Sequence, residues 1–327
     1  MKILYLIGNG FDLNLNLKTK FVHFLKYYCR LKKSDTTLVN NIEKDILLWS
    51  DLEISLGEFT YKINSSEDFI NIYNNLQESL SVYLSNLDAK FDFNNFNSEK
   101  FFKDLAFPNK NLLPSDIEKF KLFQNRWNYN EVIIDIITFN YTKTIEKITG
   151  YSNEKLDISK RMNDSNYASI FLNEIVHVHG TTDRSFVLGV NDISQIKNKK
   201  FRKNIDIREI LIKYEAIQSH KSQLFESCKQ KVENADLICF FGLSFGKTDR
   251  NYWELVGEQL KRGCNIIIFG INEDKTSPLR PNSVKLEKEA INKFFLQTKL
   301  NKKDQEKYKS NVIGAVNTKM FDLIDKI

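Results

Sequence analysis

Residues whose types and positions could do chemistry gather at a few points of the chain, each just after a run of apolar residues. His179 precedes Gly180; an imidazole there can take a proton from water or a hydroxyl near neutral pH, and the glycine lets a ligand come close. The alternative is a histidine satisfied within the core. Asn140, in Thr138-Phe139-Asn140-Tyr141-Thr142, carries an amide that donates and accepts at once, suited to a ribose hydroxyl or an attacking water. The alternative is a cap for a helix over TKTIEKI. Gly8-Asn9-Gly10 reads as a turn between strand and helix, where bare backbone N–H groups can approach a phosphate. Leu13 stands where G-x-G-x-x-G would have its third glycine. Asp12 either complements the dipole of that helix or contacts a ribose. Gly242, Ser244 and Asp249 lie in GLSFGKTDRNYWELV, where Asp249 either caps the following helix or meets the ligand, and Asn272 follows the last apolar run. His177 lies two residues before His179 on the same strand face. No further His or Cys cluster completes a ligand set, so no metal is expected. Trp49-Ser50-Asp51-Leu52-Glu53 is a polar and aromatic cluster from which Asp51 or Glu53 could reach the site.

The elements that must position these groups are visible as apolar runs: ILYLI at 3–7, VIIDIITF at 132–139, EIVHVH at 174–179, LICFF at 237–241 and NIIIFGI at 265–271. FVLGV at 186–190 adds a sixth candidate. Runs this continuous suit parallel strands covered on both faces. In an open sheet of that kind ligands bind outside the carboxyl ends of the strands, which is where the polar groups fall. The expected fold class is α/β, a doubly wound, mostly parallel Rossmann-like sheet. Residues 31–130, with Phe69, Ile72, Tyr73, Leu76, Leu80 and Tyr83 at helical spacing, read as a helical insertion or lid. The core then comprises 1–30 and 131–283, with a second helical insertion at about 191–235, and 284–327 form a helical tail.

With 327 residues, 42% hydrophobic and 13% aromatic, the chain has ample material for a core. The net charge of +6 comes from 48 basic against 42 acidic residues, a near balance that argues against nucleic-acid binding. The densest basic run, KNKKFRKN at 197–204, reads as a solvated loop or helix start. The four cysteines are far apart with no C-x-x-C pair, which excludes a zinc ribbon and a disulfide framework. No signal segment and no long apolar span is present, so no membrane association is expected and the cytoplasm is the expected compartment.

Taken together, GNGFDLNLNLKTKF, WSDLE, TFNYTKTIE, HVHG, LGVND and GLSFGKTDRNYWE resemble the AbiH family of bacterial phage abortive-infection proteins along most of the chain. That family in turn looks like a distant branch of the sirtuin-like NAD-binding fold. The resemblance implies that Gly8 and Gly10 match a pyrophosphate turn and that Asn140 and His179 act at the nicotinamide ribose. It also implies that Ser244 contacts a phosphate or ribose and Asn272 the adenosine ribose. There are departures. The four-cysteine zinc module of the deacetylases is missing, which argues against peptide deacetylation. Thr142 replaces an aspartate beside the catalytic asparagine, and Asp12 replaces a small residue. The implied function is a phage-defence effector that binds NAD and hydrolyses its nicotinamide–ribose bond. The alternatives are a nucleotide sensor without turnover, or a nucleic-acid-acting effector with metal on Asp12, Asp249 and His177. The expected partners are NAD or a related nucleotide, a phage trigger or other activator, and a second copy of the chain.

Overall fold

The structure, a computed structural model, describes residues 1–324 except 32–33, 94–95, 125–130, 164–165, 185, 220–222 and 271–280. Its centre is a seven-stranded sheet of β1 (Lys2–Ile7), β2 (Glu131–Thr138), β3 (Leu156–Asn163), β4 (Asn166–His177), β5 (Leu237–Phe241), β6 (Asn265–Gly270) and β7 (Val312–Val316). The order is β3-β4-β2-β1-β5-β6-β7. Every neighbouring pair is parallel except β3 with β4. From β1 the chain builds to one side through β2 and β4, then crosses to the other side for β5, β6 and β7. The order therefore reverses between β1 and β5, and in such sheets the crevice at the carboxyl ends of those strands is where ligands bind.

The apolar runs follow from burial on both faces. Ile3, Tyr5 and Ile7 enter one layer with Ile134, Ile136, Cys239 and Phe241, while Leu4 and Leu6 enter the other with Ile137, Ile238 and Phe240. Full burial of each such aliphatic side chain contributes about 1.5–3 kcal/mol.

Between β1 and β2 run α1 (Gly10–Asn14), α2 (Phe21–Tyr28), α3 (Thr36–Lys44), α4 (Leu52–Phe59), α5 (Ser66–Lys90), α6 (Ser98–Ala106) and α7 (Pro114–Gln124). After β2 comes α8 (Thr144–Thr149); between β4 and β5 lie α9 (Ile205–Leu211), α10 (Lys213–Ser219) and α11 (Leu224–Asn234). Then follow α12 (Arg250–Gln259), α13 (Pro281–Gln297) and α14 (Lys302–Tyr308). In α5 the helically spaced Phe69, Ile72, Tyr73, Leu76 and Leu80 are buried. They share a core with Phe24, Leu52 and Leu56 from the neighbouring helices and with Leu188, Val190, Phe201 and Leu211 from the stretch after β4.

Several expectations are corrected. FVLGV is not a strand: Val190 makes one isolated bridge to Ile212. The run is apolar because it packs among helices, where Gln77 and Tyr73 donate to the carbonyls of Phe186 and Leu188, each at 2.7 Å. The strand expected over EIVHVH is β4, which starts well before it at Asn166 and ends at His177, so His179 stands past the strand. Two strands lacked a sequence signature: β3, a polar edge strand, and β7, inside the stretch expected to be helical. Among the described residues no helix is long and apolar enough to cross a membrane.

Candidate functional site

A cleft of about 1220 Å³ opens at the carboxyl ends of β1, β2 and β5, and Asp12, Asn140, His179, Ser244 and Asp249 line it. Its floor is the meeting of two loops. Gly10 N–H donates to Gly242 C=O at 2.9 Å and Gly8 N–H to Phe241 C=O at 2.9 Å. A Cβ on Gly10 would lie 2.4 Å from Gly242 Cα, and Gly242 itself has φ +66°. These glycines are thus required by the protein's own backbone contact, and the Gly8 and Gly10 amides are already engaged. Asn9, beside them, is exposed, receives the Thr19 hydroxyl at 2.5 Å and lines the same cleft.

One wall comes from α1, the loop after β2 and the start of α8. Asp12 is fully buried and accepts from the Thr142 hydroxyl at 2.6 Å. The two positions that depart from the resembled pattern are therefore each other's partner. Burial pushes the Asp12 carboxyl up to about 6, against the lowering effect of Thr142 and of the nearby Thr144 and Asn140. Its second oxygen, both amide atoms of Asn140 and the Thr144 hydroxyl complete no hydrogen bond, although Asn140 and Thr144 lie close enough to the Asp12 carboxyl to lower its pKa. Asn140 does not cap α8, which begins at Thr144 with Lys143 in the cap position. Its backbone is instead held at both ends: its N–H donates to the Thr138 hydroxyl at 3.1 Å, and its carbonyl lies 2.8 Å from His177 Nδ1. Thr138 itself is fully buried beneath this loop and does not line the cleft.

The wall around His179 is an ion network. His179 Nε2 lies 2.8 Å from Asp249 Oδ1, and the same oxygen receives Lys213 Nζ at 2.9 Å. Lys213 also donates to Glu53 Oε2 at 2.7 Å. The Tyr141 hydroxyl donates to the Val187 carbonyl at 3.1 Å and lies 3.4 Å from Glu53. Burial alone would push the Asp249 carboxyl up, but the Lys213 ammonium and His179 hold it well below the usual carboxylate range. Burial likewise works against the Lys213 ammonium, and Asp249 and Glu53 outweigh it and raise its pKa. Asp249 stands at the cap position of α12 yet gives that helix no hydrogen bond. Glu53 reaches the network because Asp51 caps α4, accepting from Ile54 N–H at 3.2 Å. The His179 ring sits between Phe139 and Tyr141, with centroids 5.6 and 5.8 Å away.

Of the residues singled out from sequence, Gly8, Asn9, Gly10, Asp12, Asn140, His179, Gly242, Ser244 and Asp249 share this cleft. Asn272 lies outside the described residues. His177 does not join His179. Its ring binds Glu146 at 2.6 Å, while His179 turns to Asp249, because β4 ends at His177 and the next residues form a turn in which Gly180 N–H donates to the His177 carbonyl at 3.2 Å. Lys213 had no local signal, since its partner Glu53 is 160 residues away in sequence. Among the described residues, no three His, Cys, Asp or Glu side chains group to hold a metal ion.

The arrangement offers a histidine paired with a carboxylate and a buried amide with no completed hydrogen bond, both lining one cleft. Comparison with curated proteins gives no match. The family model described as bacteriophage abortive infection AbiH matches residues 4–270, a span that holds most of β1, all of β2 and β5 and the residues described for both walls. The chain belongs to the AbiH family of bacteriophage abortive infection proteins.

Proposed function

We propose that the cleft binds NAD and hydrolyses its nicotinamide–ribose bond, and that this reaction is how the protein serves abortive infection. The observation that carries the reading is Asn140: only 4% exposed, at a cleft wall, with both amide atoms unpaired. A buried amide left open costs stability unless a ligand completes it, and a sugar hydroxyl accepts and donates as the amide requires. His179 supplies the base. With Nε2 directed at Asp249, the remaining ring nitrogen, Nδ1, carries the lone pair.

In the reaction, water attacks the ribose carbon as its bond to nicotinamide breaks. The bonding electron pair leaves with nicotinamide, the water proton passes to His179 Nδ1, and ADP-ribose remains. Glu53 and Asp249 against Lys213 leave one net negative charge in the wall behind His179, which favours an oxocarbenium-like transition state. The loops at Gly10 and Gly242 would lie beneath the pyrophosphate, with Ser244 exposed beside them.

The test is incubation of the purified protein with NAD, with and without phage lysate, following nicotinamide and ADP-ribose by chromatography. Release of both is expected. His179→Ala should lower kcat by about 10²–10⁴-fold while NAD binding persists, and Asn140→Ala should lose turnover as well. Stable binding without product would instead favour a sensor, and absence of binding would end the NAD reading.

A further inference from the structure

His177 sits at the end of β4 with each ring nitrogen facing an oxygen. Nδ1 is 2.8 Å from the Asn140 carbonyl and Nε2 is 2.6 Å from Glu146 Oε1. A carbonyl and a carboxylate are both acceptors, so a neutral ring leaves one of them facing a nitrogen lone pair. A ring protonated on both nitrogens satisfies both. We propose that His177 is a positioning residue: as an imidazolium it donates to the Asn140 carbonyl and to Glu146, fixing the loop that presents the Asn140 amide to the cleft.

Three further observations agree. Burial works against the charged His177 ring, but the Glu146 carboxylate and the Asn140 carbonyl outweigh it and raise its pKa above the ordinary histidine value. The charged groups that act on the ring are Glu146 in α8 and Lys143 just before it, and Lys143 is itself paired with Asp183 at 2.7 Å. The Asn140 peptide has its N–H held by Thr138 and its carbonyl by His177, so the side chain stays free of internal partners while the backbone is pinned. The ring lies outside the cleft lining and touches the candidate machinery only through that carbonyl. This inference deepens the proposed hydrolase and rests on it only for the consequence in turnover.

The charge state is read by nitrogen-resolved NMR titration of the full chain, using His177→Gln to assign the ring among the four histidines. Both nitrogens are expected to carry protons at pH 7, with a midpoint above about 6.5, and Glu146→Gln should move that midpoint down. A ring neutral at pH 7 in the native protein overturns the proposal. The positioning role is read by hydrogen exchange at the backbone amides of Asn140, which donates to the Thr138 hydroxyl at 3.1 Å, and of Thr182, which donates to the Tyr141 carbonyl at 3.2 Å. Removing a hydrogen bond to a charged group should speed that exchange by at least about tenfold in the conservative Glu146→Gln variant at pH 7. Unchanged exchange overturns the role. Neither readout requires NAD turnover, so failure of the hydrolase reading, seen as no nicotinamide release, is separate from failure of the clamp.

Discussion

The two walls of the cleft treat buried polarity in opposite ways. On the His179 side, Glu53, Lys213 and Asp249 pair oxygen to nitrogen within 2.7–2.9 Å. On the Asn140 side, Asp12 Oδ1, both Asn140 amide atoms and the Thr144 hydroxyl are buried and unpaired. A fully paired network fixes orientation and charge and asks nothing of a ligand. An unpaired one costs about 1–3 kcal/mol for each group, and folding alone gives no reason to keep it. On the proposed function, the first wall would hold a base in place and the second would grip what enters.

The comparison breaks most visibly at Lys213. Lys213→Met leaves Glu53 and Asp249 buried without a counter-charge, and urea unfolding should show a loss of about 3–5 kcal/mol. A loss under 1 kcal/mol would mean the paired wall is not structural.

Next comes the pH dependence of Asp12. Its carboxyl keeps its proton to about 6 in the fold but releases it near 3.8 in the unfolded chain. Between those values the native state binds the extra proton, so this stabilisation is full below 3.8 and lost as pH rises through 6. The loss should reach about 3 kcal/mol, measured as the difference between native protein and Asp12→Asn from pH 4 to 7. Asp249 acts with the opposite sign. Its stabilisation is present above the ordinary carboxylate range and fades as pH falls below it.

The smallest effect is expected at Asn140. Asn140→Ala removes an unpaired amide and should raise stability by about 1 kcal/mol while abolishing nicotinamide release. A comparable destabilisation in urea unfolding would show that the amide is satisfied within the fold after all.

How much of this could be read from sequence varied with the physics of each element. Strands β1, β5 and β6 were legible because both faces are buried and their apolar runs are unbroken, and β2 because Asp135 alone interrupts its run. Edge strand β3, with Asp157, Ser159 and Lys160, has no such run, and β7 pairs only with β6 and contains Gly314 and Ala315. FVLGV misled because burial in a loop and burial in a strand select the same residues. Asn140 and Asp249 stood undecided between cap and site, since both roles use the same short polar side chains just before a helix. Only the partners decide between them: Asp249 turns to His179 and Lys213, and the Asn140 amide lies near Asp12 without completing a hydrogen bond. Thr142 and Asp12 looked like two separate departures because 130 residues separate a donor from its acceptor.

The contact of Gly10 with Gly242 has a consequence for how this cleft can change over time. A Cβ built on Gly242 would lie 2.7 Å from Gly10 Cα and 2.7 Å from Phe11 N, so one methyl group on either loop is a wedge driven into the switch point of the sheet. Both walls hang from those loops or their neighbours. The approach of the two loops is therefore gauged by two hydrogen atoms, and any side chain at Gly10 or Gly242 would force the floor of the cleft apart.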